Sequence, residues 1–169
     1  LQARDVHFNN YTFLKQGEKQ NNYRTLLWRP GKGSHFALFP NLNVSDPVWR
    51  KVLRDVRFRR ALSLAIDRNE LNEPVYLGLA KPSNNTIMER SQLFKPDYAK
   101  KWAQYDPKLA NKLLDEVGLT KKDSQGFRLL PDGRPATIVG GHASEETEDA
   151  DALHLIAIAH EGGLELSLA

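Results

Sequence analysis

The chain has 169 residues, 40% hydrophobic and 27% charged, with a formal net charge of +3 at pH 7. That length supports a domain with a real core, and the composition is that of a globular chain, not a disordered one. Cysteine is absent, which excludes disulfides, cysteine-ligated zinc and a thiol nucleophile, and no apolar run approaches the roughly 20 residues that a transmembrane helix needs.

The opening LQARDVHFNN has no Met and neither the basic nor the apolar region of a signal peptide. It reads as a chain that begins mid-protein, so a missing leader says nothing of where the parent protein goes. Between Leu1 and Gly17 the apolar positions Val6, Phe8, Tyr11, Phe13 and Leu14 fit a short strand or a helix equally well. Gln16 to Asn22 is polar and reads as a loop. Tyr23 to Trp28 and His35 to Phe39 read as the arms of a hairpin around the Pro30-Gly31-Lys32-Gly33 turn. Trp28, in a strand pattern, is expected in the core, whereas Trp49 and Trp102 fit either core or a ligand platform. Pro40 to Pro47 reads as a loop.

Asp55 is placed to cap a helix, and Phe58, Ala61, Leu62, Ala65 and Ile66 follow the spacing of one buried stripe. Asp67 and Glu70 have capping-box spacing and predict a second short helix through Leu71, Val75 and Tyr76, with Pro74 near its start and Gly78 at its end. Lys81 to Pro96 lacks periodicity and reads as a long ordered loop, a class that is usually functional or mobile. Asp106-Pro107 then opens the clearest helix: Asp caps, Pro takes the first helical position, Gly118 ends it, and Ala110, Leu113, Leu114 and Val117 form its stripe. Arg128 to Leu130 and Ala136 to Val139 flank a strong turn at Pro131 to Pro135. Ser144 to Ala159 reads as a helix with acids in its first turns, stopped by Gly162-Gly163. Leu164, Leu166 and Leu168 alternate as in a half-buried strand. This order predicts an α/β or α+β domain: a mixed sheet with flanking helices.

The sharpest charge feature is Arg50 to Arg60 (RKVLRDVRFRR). Its functional reading is a basic nucleic-acid-binding module that contacts phosphates; its plainer reading is half of an amphipathic helix without a stacking platform. Pro30-Gly31-Lys32-Gly33-Ser34 lacks the G-x-x-x-x-G-K-[ST] of a phosphate loop, and a hairpin turn is favoured. His7, His35, His142, His154 and His160 contain no H-x-x-x-H pair. His142 with Glu145, Glu146 and Glu148 could gather a metal, but acids opening a helix more often answer its dipole. An enzyme using His142 or His154 with nearby acids is the weakest reading, since neither Gly-x-Ser-x-Gly nor any other nucleophile set is present.

One ordered set of motifs is specific. Asn41 or Asn43 precedes Asp55-Val56-Arg57-Phe58-Arg59-Arg60-Ala61-Leu62-Ser63-Leu64-Ala65-Ile66-Asp67-Arg68. Val75-Tyr76-Leu77-Gly78 and Lys81-Pro82 follow, then Tyr105-Asp106-Pro107 through Leu113-Leu114 to Gly118. This resembles family 5 of the extracytoplasmic solute-binding proteins, the peptide and oligopeptide receptors of ABC importers. The chain departs from the family at Ala159 to Leu164 and at Gly140-Gly141-His142. The resemblance implies that residues 1–169 are a single domain, part of the C-terminal lobe of a two-lobed periplasmic or otherwise extracytoplasmic receptor, exported with a leader outside this segment. It implies a protein that is not an enzyme; no cofactor is expected, and the residues themselves favour no metal site. Its partners would be a peptide or related solute and a membrane permease, not nucleic acid. The acidic residue that meets a peptide's amino group in such receptors would lie downstream. Within this chain the expected ligand contacts are Asn41 and Asn43 near a strand end, and Ser83, Asn84 and Asn85 in the long loop. Their short polar side chains suit peptide groups, and they suit turns equally well.

Overall fold

The computed structural model describes residues 8–28, 37–140 and 165–168. They fall into two units, one within Leu1–Lys32 and one within Gly33–Ala169.

In the first unit a 3-10 turn over Phe8–Asn10 leads into α1 (Tyr11–Asn21). The Phe8 and Tyr11 rings stack at 5.6 Å, and Lys15 pairs with Glu18 one turn on at 2.9 Å. Gln16 to Asn21 is therefore helix rather than loop. The Asn21 amide donates to the Gly17 carbonyl at 3.1 Å, and Asn22 ends the helix in the left-handed region. Residues 23–28 form no strand. Their bonds run back to α1: the Tyr23 hydroxyl donates to the Leu14 carbonyl at 2.5 Å, and the Thr25 N–H donates to Glu18 at 2.6 Å. A strand requires a ladder partner, and residues 37–39, the described part of the expected second arm, are not in a strand either. The turn at Pro30 to Gly33 lies outside the described residues. Without that ladder Trp28 is 88% exposed, so it is not a core residue here.

The second unit is built on helices. α2 (Pro47–Arg54) starts at Asp46, whose carboxylate accepts the N–H groups of Val48 and Trp49 at 2.8 and 3.1 Å. Asp55 ends α2 and caps α3 (Val56–Leu64), accepting the Arg57 N–H at 2.8 Å. Asp67 caps α4 (Arg68–Tyr76) through the N–H groups of Asn69 and Glu70. Because Asp67 sets that start, Pro74 lies near the end of α4, not near its start. Leu77 and Gly78, at φ 54 and 71, turn the chain out of α4. After an irregular stretch come the short α5 (Pro96–Lys100) and then α6 (Pro107–Val117), capped by Asp106 and stopped by Gly118 at φ 100.

The core is the contact of α3 with α6. Phe58 and Leu64 from α3 and Leu114 from α6 are fully buried, with Leu119 and Leu130 from the segment that follows. Trp49 meets Phe58 edge to face at 6.1 Å, and both Trp49 and Trp102 pack on this core. Among the described residues antiparallel pairing is confined to two isolated bridges, Lys122↔Arg128 around the Gly126 turn and Leu129↔Pro135 around the Gly133 turn. β1 (Thr137–Gly140) pairs in parallel with β2 (Glu165–Leu168), from Thr137↔Glu165 to Gly140↔Leu168. The helix expected over Ser144 to Ala159 lies outside the described residues. Helices and strands are thus present as expected, whereas the expected mixed sheet is represented among the described residues by one parallel pair alone.

Candidate functional site

The two groups of expected ligand contacts sit on loops that the helices hold by side-chain bonds. In the first loop Asn41 Oδ1 accepts the Asn43 N–H at 3.0 Å, a local turn made by its own side chain. Asn43 Oδ1 accepts from Arg54 Nη2 at 2.8 Å, and Arg54 Nε donates to the Leu42 carbonyl at 2.7 Å. Arg50 donates to the carbonyls of Val44 and Ser45 at 2.7 and 3.0 Å. Two arginines of α2 therefore set the shape of the 42–45 loop.

The rest of the basic run is engaged in the same way. Arg57 pairs with Asp55 at 2.7 Å, and the Arg57 guanidinium holds the Asp55 carboxyl below its usual range. Arg59 Nη1 donates to the carbonyls of Leu53 and Arg54 at 2.8 and 2.9 Å. Arg60 lies 4.5 Å from the centroid of the Trp102 ring, a cation–π contact. At the far edge of this region Arg134 bridges Asp46 and Asp132, each at 2.7 Å. That guanidinium is the main reason the Asp46 carboxyl falls to about 2.

In the second loop the Ser83 hydroxyl donates to the Asn84 carbonyl at 3.2 Å. Asn84 closes the loop: its N–H donates to the Ala99 carbonyl at 2.8 Å and its side-chain amide to the Lys101 carbonyl at 2.6 Å. Asn85 is exposed and makes no hydrogen bond among the described residues. Asn72 of α4 braces the start of this loop by a two-way amide pair with the Ala80 main chain at 2.9 and 3.0 Å. Among the described residues no hydrogen bond joins the Asn41–Asn43 group to the Ser83–Asn85 group. Sequence reasoning passed over Arg68, Arg128 and the backbone of Trp102, because what they do depends on distant partners.

All the histidines, including His142 and His154 with their neighbouring acids, lie outside the described residues. Among those described, no cluster of three His, Asp or Glu groups could hold a metal, and no helix is long and apolar enough to cross a membrane.

The chain is 34% identical over 107 residues to the dipeptide-binding protein of Escherichia coli (strain K12), which covers 62% of the chain and 20% of that protein. It is 29% identical over 136 residues to the oligopeptide-binding protein OppA of Lactococcus lactis subsp. cremoris (strain SK11), covering 79% of the chain and 22% of that protein. A solved oligopeptide-binding protein OppA superposes with a TM-score of 0.79 at 38% identity, over 95% of this chain and 25% of that one. The chain thus spans about a fifth of the length of these curated relatives. Residues 1–157 match the family described as bacterial extracellular solute-binding proteins, family 5 Middle. The chain belongs to family 5 of the bacterial extracellular solute-binding proteins.

Proposed function

We propose that this chain is part of the C-terminal lobe of a substrate-binding component of an ABC importer, which captures a peptide or related solute and delivers it to a membrane permease. The observation that carries the reading is the likeness to a solved oligopeptide-binding protein, 38% identical over 95% of the chain. The protein acts outside the cytoplasmic membrane, in the periplasm or its equivalent, and catalyses no covalent step. Its two lobes close on the solute, and the β1–β2 pair continues into a larger mixed sheet. Asn85 and Ser83 offer polar groups at the loop surface, and Asn41 and Asn43 shape the other contact loop.

The arginines support this reading over a nucleic-acid module. Arg50, Arg54 and Arg59 donate to main-chain carbonyls, Arg57 is paired with Asp55, and Arg60 is stacked on Trp102. Groups engaged in this way are poorly placed to neutralise phosphates.

Calorimetric titration of the purified full-length receptor with synthetic peptides of two to nine residues tests the proposal. Saturable heat with at least one length class, together with a smaller radius of gyration at saturation, is expected. Absence of heat across the series, or tight DNA binding with a steep salt dependence, would overturn it.

A further inference from the structure

Just before α6, successive main-chain carbonyls are each taken by a side chain from a different part of the chain. The Lys101 carbonyl accepts from Asn84 Nδ2 at 2.6 Å, the Trp102 carbonyl from Ser63 Oγ at 2.7 Å, and the Ala103 carbonyl from Arg68 Nη1 at 3.1 Å. Arg68 also donates to the Ser63 carbonyl and to Ser63 Oγ, both at 2.9 Å. The Ser63 hydroxyl therefore accepts from Arg68 while it donates to Trp102, which fixes its orientation. Further along, the Asp106 N–H donates to the Leu64 carbonyl at 2.9 Å.

Inside this ring of bonds Trp102 has φ 65. A bulky side chain occupies that left-handed region at a cost of roughly tenfold in population, where glycine would enter freely. Such a conformation persists only where the surroundings over-determine it. The three carbonyl bonds and the Arg60 contact on the Trp102 ring supply that determination. The other effect of the same bonds is on the loop. Asn84 ties its own end of the loop to Ala99 and Lys101, so residues 84–101 form a surface loop with a closed neck, and that neck is fastened to α3 and α4 by Ser63 and Arg68.

We propose that Asn84, Ser63 and Arg68 are positioning residues that hold Trp102 left-handed and thereby fix the 84–101 loop on the helical core, setting where Asn85 meets the solute. Only the last clause rests on the receptor reading. Asn84 then contributes to recognition from behind the loop, through Lys101, and not by touching the ligand.

Hydrogen exchange on the purified protein without ligand tests the positioning role. Loss of one such bond changes a local opening equilibrium by about five- to tenfold. Asn84→Ala and Arg68→Met are each expected to speed exchange at the Tyr98, Lys101 and Ala103 amides by about that factor, with the Ala110 and Leu114 amides of α6 unchanged. Unchanged exchange at Lys101 and Ala103 in both variants would overturn the proposal. So would an equal rise in α6, because the bonds would then be holding the whole fold. Asn84→Ala is the milder change and stays informative if Arg68→Met does not fold. Titration with tetra-alanine reads the final clause: a five- to tenfold weaker Kd for Asn84→Ala supports it, and an unchanged Kd with faster exchange refutes it. Wild-type protein that gives no heat with tetra-alanine, while exchange responds as expected, would sustain the positioning role and remove its link to the solute.

Discussion

Arg128 offers the sharpest test of how the helical unit is held together. It is 2% exposed, in the segment that follows α6. Nη2 donates to Asn111 Oδ1 at 2.8 Å and to the Asn111 carbonyl at 3.3 Å; Nη1 donates to Asp115 at 2.6 Å and to the Leu119 carbonyl. These bonds join the middle and end of α6 to the bridge-forming strap. The substitution Arg128→Met keeps the apolar stem and removes every donor. The Asp115 side chain is 54% exposed and regains water, so the ion pair itself contributes little. The carbonyl of the fully buried Leu119 cannot regain water and is left unpaired, at about 1–3 kcal/mol, with about 1 kcal/mol more at the half-buried Asn111. Relief of the buried charge offsets part of this. A net loss of about 2–3 kcal/mol is expected in urea denaturation followed by tryptophan fluorescence, with the m-value unchanged. In a double-mutant cycle with Asp115→Ala the coupling should stay below about 1 kcal/mol. A loss under about 0.5 kcal/mol, or a coupling above about 2 kcal/mol, would refute the view that carbonyl satisfaction and not ion pairing is what Arg128 supplies.

Other consequences follow from the same packing. Phe58→Ala empties the centre of the α3–α6 contact and removes the partner of Trp49, so about 3–5 kcal/mol should be lost in the same denaturation assay. Gly118→Ala meets no atom within 4 Å of the new Cβ, so its expected cost of about 1–2 kcal/mol comes from the left-handed backbone alone and should show as a lower Tm. The Asp46 carboxyl is held at about 2, below its ordinary 3.8, first by Arg134 and then by the Trp49 N–H. A depressed carboxyl stabilises the fold above its unfolded value, and that contribution fades as pH falls from near 3.8 to about 2. Asp46→Asn should therefore flatten the acid limb of the stability curve in that window, and an unaltered limb would count against the bridge.

How far the fold could be read from the chain depends on the range of the interactions involved. α6 was legible because its signals are local: Asp106 caps, Pro107 takes the first position, and Gly118 stops it. The same Asp-Pro signal opens α2 at Asp46-Pro47, where the sequence reads as the end of a loop because the stripe spacing begins only after Asp55. Asp55 both ends α2 and begins α3, a double role that one capping rule does not anticipate. The hairpin arms were illegible for the opposite reason. The Tyr, Thr, Leu and Trp of residues 23–28 report suitability for a ladder, not the presence of a partner, and the Tyr23 hydroxyl and Thr25 N–H turn to α1 instead. At the candidate site, residue type was informative and partner was not. Asn41 makes the turn that its short amide allows, whereas Asn84 reaches a carbonyl far along the chain.

The basic run shows most directly how a charge pattern can be a structural device. Where α2 meets α3 the chain turns a corner at Asp55, so carbonyls without helical partners at the end of one helix face amides without partners at the start of the next. Asp55 answers the amides through the Arg57 N–H, and Arg59 answers the carbonyls of Leu53 and Arg54. Arg57 then balances the carboxylate of Asp55 at 2.7 Å, while Phe58, between Arg57 and Arg59, enters the core. Arg50 and Arg54 extend the same chemistry to the 42–45 loop, whose main-chain oxygens would otherwise face only water. A guanidinium suits each task because its planar fork can serve two acceptors at once and remains charged at any pH the fold survives. The order Asp55-Val56-Arg57-Phe58-Arg59 is therefore intelligible without a ligand: cap, spacer, counter-charge, core anchor, cap of the preceding helix. The resemblance to solute-binding receptors was carried in part by the residues that build the corner between α2 and α3; the 42–45 loop is held from α2 beside that corner, whereas the Ser83–Asn85 loop is held from Ser63, Arg68 and Asn72.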